Sequence, residues 1–361
     1  MKIRRIQISI VDVPQIPPIA PYRSHVRTSS TTTSGIVEIL TEGGLTGLGE
    51  FNLNFLPDLD VHKMQQAAQW VVGRDAGNIE LFHTECTLET RLKSGIEIAM
   101  WDIAGKAAGL PVAKLLGGIL RPRVELAACM GIQTYQRAGE IAQHYVEQGF
   151  TTLKTKAGSD MHEDLEMVRG IRDAVGMKLK LRIDPNRAYS LKEGFELCRQ
   201  LEQYELEYLE QPIMADPLSD AVALREGSGV PIALNESVIG PSSAWEILHL
   251  GASEFLLPDT HIAGGILPCV KIGHLAESAG ATCIMHCGHD LGPKTAAMVH
   301  VAAACEPYRL GNDSTYYGIE DDITVEPLLI SAGHIAIPDR PGLGIEVDAK
   351  KLEHYTIAKA L

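Results

Sequence analysis

Leu153-Lys154-Thr155-Lys156 closes a short apolar run that begins at Phe150. On a strand, residues i and i+2 point to the same side. Both ammonium groups therefore project together from the end of one strand. Five more apolar runs follow, each closed by a polar residue: Ile183 by Asp184, Leu209 by Glu210, Leu234-Asn235 by Glu236, Pro258 by Asp259 and Met285 by His286. The closing positions 156, 184, 210, 236, 259 and 286 follow one another at intervals of 23 to 28 residues. One strand, one helix and two loops take about that length. A polar group thus recurs once per βα unit at the C-terminal end of its strand, where a (β/α)₈ barrel carries its active site. A single polar strand end means little, but six in step, three of them successive carboxylates, predict a site.

The rest of the chain bounds the reading. Its 361 residues suit a barrel plus a smaller domain, and 45% apolar content supports a sizeable core. A net charge of −14 argues against nucleic acid and against an anionic membrane surface as partners. The seven cysteines include no C-x-x-C pair, which fits reduced thiols rather than a disulfide frame or a zinc site. Cys283 and Cys287 flank His286 and are read as packing residues. The start, Met1 to Arg5, has no long apolar region, and no run approaches the length of a membrane span. The expected location is the cytoplasm.

Residues 1 to about 50 read as an antiparallel meander, with strands over Ile3–Val11, Gly35–Leu40 and Leu45–Glu50 and a turn at Gly43-Gly44. Pro14 to Thr33 reads as a long loop holding Arg23, His25 and Arg27, a candidate lid over an anionic ligand. Residues 58 to 110 read as helices, with helical apolar spacing over Ile96–Lys106. From Val124 strands and helices alternate, which predicts a parallel sheet closed into a barrel. The eighth strand is expected to begin at Arg309-Leu310. An open doubly wound sheet would want a glycine fingerprint after its first strand. The G-x-G strings at Gly47 and Gly342 have no helix placed for a pyrophosphate and are read as turns. Beyond about residue 318, short strands are expected near Ile335–Pro338 and Pro341–Ile345, returning to the N-terminal domain. The expected division is an α+β capping domain over 1–120, a barrel over 121–318 and a returning segment over 319–361.

Asp184, Glu210 and Glu236 on successive strand ends would repel one another unless a cation lay between them. Oxygen ligands with open positions suit Mg²⁺, with Mn²⁺ also fitting. Asn186, two residues past Asp184, is placed to support them. Lys154 and Lys156 precede the metal strands; Asp259 and His286 follow them. A bound substrate would therefore have a lysine on one face and a histidine on the other. The cation and the neighbouring lysine are expected to lower the lysine pKa. Asp259 would hold the imidazole. His289 lies close enough in sequence to be the alternative acid/base. A metal between two bases suits removal of the weakly acidic proton α to a carboxylate.

With Lys154-Thr155-Lys156, Asp184-Pro185-Asn186, Leu209-Glu210-Gln211-Pro212, Asn235-Glu236-Ser237 and Asp259 with Gly264-Gly265, the chain resembles the mandelate racemase/muconate lactonizing enzyme family of the enolase superfamily. Trp101–Lys106 and Pro341–Gly344 match outside the barrel, so the resemblance covers nearly the whole chain. It implies an α+β capping domain over a (β/α)₇β TIM-type barrel and Mg²⁺ on Asp184, Glu210 and Glu236. It implies Lys156 as one base, with Lys154 beside it on the substrate carboxylate. Asp259 where the other branch carries lysine, with His286 on the seventh strand, resembles the mandelate racemase branch. The match loosens after His286, and Asn312 or Asp313 is left for the eighth-strand position.

The resemblance implies chemistry through an enediolate on a small-molecule carboxylate. The leading expectation is dehydration of a sugar acid to a 2-keto-3-deoxy acid, with Arg23, His25, Arg27, Asn186 and His289 binding substrate. Racemisation or epimerisation of an α-hydroxy or α-amino acid is the alternative, and a non-catalytic ligand-binding homologue a remote one. A homo-oligomer is expected.

Overall fold

The computed structural model describes residues 1–53 and 61–359; of the expected helical region, 58–60 lie outside the described residues. The N-terminal meander forms the sheet Thr356–Lys359, Ile3–Pro14, Thr31–Thr41, Thr46–Asn52, in that spatial order and antiparallel throughout. Thr356–Lys359 thus pairs antiparallel with the first strand of the chain. The Pro14–Thr33 segment is not a bare loop. Strands run into it from both sides, and between them Tyr22–Arg23 pairs with Thr28–Ser29 as a small hairpin.

The helix Thr90–Ala108 lies across this sheet at very short range. Gly47-Leu48-Gly49 is not a turn but part of a strand. A Cβ on Gly47 would stand 2.2 Å from Ala99 O, and one on Gly49 1.9 Å from Gly95 O. Glycine is needed here for close approach. The helix also ties the chain together through two buried carboxylates. Asp102 accepts the Leu48 and Leu343 N–H groups and the Lys106 ammonium. Glu97 accepts the Ile266 and Leu267 N–H groups at the start of a barrel helix, Ile266–Ala279. Its carboxylate fills the space a side chain on Gly265 would take.

The barrel strands are Arg123–Met130, Thr152–Lys156, Lys180–Asp184, Tyr208–Glu210, Ile232–Leu234, Phe255–Leu256, Thr282–Cys283 and Asn312–Asp313. The first seven pair in parallel in sequence order, and the eighth pairs in parallel with the first. Asp313 N donates to Met285 O (3.0 Å), joining the eighth strand to the end of the seventh. The eighth strand thus lies beyond Arg309-Leu310, the dipeptide expected to begin it. Helices follow the first seven strands, giving the (β/α)₇β order. Three of their starts are capped as local sequence dictates: Thr134 on Arg137 N, Asp160 on His162 N and Glu163 N, and Ser190 with Glu193 as a reciprocal box. After the barrel, His334–Ala336 pairs antiparallel with the first barrel strand rather than with the N-terminal sheet. The stretch 341–345 is no strand; Gly342 and Gly344 turn it with φ of 76° and 74°. Among the described residues no helix is long and apolar enough to cross a membrane.

Candidate active site

Inside the barrel, strand alternation places two layers of side chains. Tyr208, Ala233, Leu257 and Ile284 form a small apolar cluster of their own. The residues two positions further on, Glu210, Asn235, Asp259 and His286, lie toward the strand C-termini. Arg182, fully buried, stacks over the Tyr208 ring and donates to Glu207, Gly311 O and Asp313. The lower layer is thereby sealed.

Lys154 is ringed by acid. Its Nζ donates to Glu210 Oε1 (2.8 Å) and Asp313 Oδ2 (2.9 Å) and lies 3.4 Å from Asp184 Oδ2. Burial alone would lower the Lys154 pKa, but Asp313, Glu210 and Asp184 outweigh it and hold it well above the usual lysine range. Surrounded by these carboxylates, Lys154 is held as an ammonium. Lys156 Nζ lies in short contact with Asp184 Oδ2. Burial pushes Asp184 up, but Lys156 and Lys154 more than reverse it. Asp313, not Asn312, is the eighth-strand group at the site; Asn312 accepts the Met285 N–H in the wall.

Glu210 and Glu236 carry the excess negative charge. Burial, with Asp184 beside each, raises both carboxyls, Glu210 well above the usual range. The Oε2 atoms of both are buried without a hydrogen-bond partner. Lys154 comes within 2.7 Å of Glu210 Oε2, but not in hydrogen-bonding geometry. A buried Glu236 oxygen without a hydrogen bond, beside Asp184 and Glu210, is what a hard divalent cation would satisfy. Among the described residues, potential ligand atoms of Asp184, Glu210 and His286 all lie within 4.8 Å of one another. Glu236 is drawn aside: its Oε1 accepts from Asn186 Nδ2 (3.2 Å) and faces Arg187 at 3.5 Å.

His286 Nδ1 lies 2.9 Å from Asp259 Oδ2, and its Nε2 lies 3.8 Å from Glu210 Oε1. Asp259 is also engaged by Lys294 Nζ at 2.8 Å. His261 Nδ1 sits 2.7 Å from Asp259 Oδ1, out of line for a hydrogen bond. Burial would raise Asp259, but His261, Lys294 and the His286 bond keep it well below the usual carboxylate range. An ionised Asp259 can only accept, so the imidazole proton sits on Nδ1 and Nε2 presents a lone pair. Burial and the Lys154 charge lower the His286 pKa to about 4, so the resting ring is neutral. His289 lacks such a carboxylate. Its Nδ1 meets Gln15 Nε2 (2.7 Å), the Tyr22 ring packs edge-on against it, and burial takes its pKa down to about 3.

Lys154, Lys156, Glu236, His286 and Asp313 line a cavity of about 320 Å³. Arg27 and His289 line it, as do Asn186 and Cys287. Cys287 is thus a wall residue, whereas Cys283 is buried packing. Arg23 does not reach the cavity; its guanidinium pairs with Glu163 (3.2 Å) on the outside. His25 packs by Gly158, with Nδ1 buried and unbonded and its pKa lowered by burial. Sequence reading missed Lys294, His261, Arg187 and Arg91, which lines the cavity from the N-terminal helix. His261, two residues after Asp259, and Lys294, four after Asp290, carried a weak spacing signal; Arg91 carried none.

Residues 137–351 match the enolase C-terminal domain-like family, and residues 5–117 match the mandelate racemase/muconate lactonizing enzyme N-terminal domain. An arabinonate dehydratase of Saccharolobus solfataricus is 34% identical over 267 residues, 73% of this chain and 71% of that protein. An L-Ala-D/L-Glu epimerase of Clostridium acetobutylicum is 28% identical over 344 residues, 92% of this chain and 96% of that protein. The crystal structure of the Enterococcus faecalis dipeptide epimerase, complexed with Mg and the dipeptide L-Leu-L-Tyr, superimposes with a TM-score of 0.88. It is 27% identical, with 96% of this chain and 100% of that chain covered. The chain belongs to the mandelate racemase/muconate lactonizing enzyme family, and it is a lyase or isomerase of the enolase superfamily.

Proposed function

We propose that the enzyme removes the proton α to the carboxylate of a small polyhydroxylated acid and expels the β-hydroxyl, giving a 2-keto-3-deoxy acid. The observation that carries this reading is His286, held through Nδ1 by the Asp259 carboxylate and lining the cavity. A neutral imidazole cannot start as an acid. It takes the α-proton on Nε2 and becomes an imidazolium, which the ionised Asp259 stabilises. The same Nε2–H then goes to the β-hydroxyl, which leaves as water. The enol tautomerises to the keto acid. Lys154, whose ammonium bonds Glu210 and Asp313, is the group proposed to hold the substrate carboxylate. Asp184, Glu210 and Glu236 would hold Mg²⁺, with Mn²⁺ also suited. When bound, the cation supplies positive charge where the electrons of the broken C–H bond collect. Ser24, Ser29 and Thr315 in the cavity wall suit a ligand with several hydroxyls.

Epimerisation is the second reading, and Lys156 favours it. Lys156 ends the second of eight strands and His286 follows the seventh, so they would approach a bound Cα from different faces. Proton NMR in D₂O with Mg²⁺ and a panel of sugar acids, hydroxy acids and amino-acid derivatives separates the readings. Formation of a 2-keto-3-deoxy acid is expected. Deuterium entering Cα with the carbon skeleton intact would replace dehydration with epimerisation.

A further inference from the structure

The basic groups on the barrel side of the cavity are matched by acid. Lys154 has Glu210, Asp313 and Asp184, Lys156 has Asp184, and Arg187 faces Glu236. Arg91 is different. It sits in the first turn of the helix Thr90–Ala108, where the helix dipole disfavours a cation. Glu89, its neighbour, is occupied in capping the N–H groups of Arg91 and Leu92 (3.0 and 3.2 Å). The nearby Asp259 is engaged by His286 and Lys294. Among the described residues, Arg91 Nη1 is buried with no hydrogen-bond partner, yet the residue lines the cavity. A guanidinium N–H desolvated without an acceptor is costly unless a ligand supplies one. Arg27 adds a second guanidinium to the same wall.

We propose that Arg91 binds a second, distal carboxylate, so that the substrate is a dicarboxylic sugar acid rather than a monoacid. This rests on the reading that the first carboxylate lies at Lys154 and the carboxylate cluster. Guanidinium is the side chain that pairs with carboxylate through two parallel N–H groups, and this gives it selectivity for an anionic end over a hydroxymethyl end.

The test compares matched acids that differ only at that end, glucarate with gluconate and galactarate with galactonate, on the Mg²⁺-loaded enzyme. The diacid is expected to exceed its monoacid by about 100-fold in kcat/KM, the scale of one charge-assisted pair. In Arg91→Gln that ratio should fall at least about tenfold, mainly through KM, and Arg91→Lys should retain part of it. A second readout needs no turnover. Adipate should raise the melting temperature more than hexanoate does, and Arg91→Gln should abolish the difference. Equal rates for diacid and monoacid, an unchanged ratio in Arg91→Gln, or a terminally phosphorylated acid outrunning the diacid would each overturn the proposal. Monoacid turnover without diacid preference leaves the α-proton chemistry standing and removes Arg91. Arg91-dependent adipate binding with no acid turned over supports the carboxylate site and removes the chemistry.

Discussion

At the scale of single residues, the proposed base is His286. A buried carboxylate holds its Nδ1, and His261 together with a buried ammonium 2.8 Å away keeps that carboxylate ionised. His286→Asn should lower kcat by about 10²- to 10⁴-fold with a smaller change in KM, the usual span for a lost general base. Steady-state kinetics on the best acid from the NMR panel checks this. Lys294→Met leaves Asp259 and Asp290 buried without their shared cation. It should cost about 3–5 kcal/mol of stability, read by urea unfolding. Glu210→Gln removes one proposed ligand carboxylate and should abolish both turnover and any Mg²⁺-dependent rise in melting temperature. Asp259 and His286 were legible because the barrel repeats its strand ends at a regular interval. Lys294 was not, because its ammonium reaches Asp259 only when the helix after the seventh strand packs beside the sixth.

Among elements, the helix Thr90–Ala108 does most to assemble the site. It rests on glycine at both sides of its contact with the sheet, binds the C-terminal turn through Asp102 and starts a barrel helix through Glu97. A methyl group on Gly49 would meet the Gly95 carbonyl, a backbone atom that cannot rotate away. Gly49→Ala should therefore destabilise the protein by about 1–3 kcal/mol, the range for overpacking, and calorimetry would show it. The hairpin Tyr22–Arg23/Thr28–Ser29 shows the opposite case. Its residues read as a polar loop because each strand is two residues long, too short for any alternation to register.

In the whole molecule, His300 marks where three parts of the chain meet. Its Nδ1 accepts the Ala113 N–H (3.3 Å) and its Nε2–H donates to Leu343 O (3.1 Å). Both bonds need a neutral ring, and burial lowers its pKa to about 4 against an ordinary 6.5. The folded pKa is depressed, so the folded state binds fewer protons than the unfolded chain between these values. The contribution to stability is complete above about pH 6.5 and is lost as pH falls through about 4, amounting to about 3 kcal/mol. Acid titration of the unfolding midpoint should show that slope. His300→Gln, which keeps one acceptor and one donor without a titrating proton, should flatten it.

The barrel, the capping sheet and the polar strand ends were readable from sequence because strand alternation and βα spacing are local periodicities, carried by residues within a few positions of one another. Lys156, Asp184, Glu210, Asp259 and His286 stood out for that reason. Tertiary structure alone decided the rest. It chose Asp313 over Asn312, gave His286 rather than His289 a carboxylate on Nδ1, took Arg23 out of the cavity and brought Arg91 in. It also gathered Asp313, Glu210 and Asp184 around Lys154, which raise its pKa, since a pKa follows the total charge enclosed around a buried group. Each of these depends on which distant segments face one another across a closed barrel and its cap, and no local pattern in a chain records that.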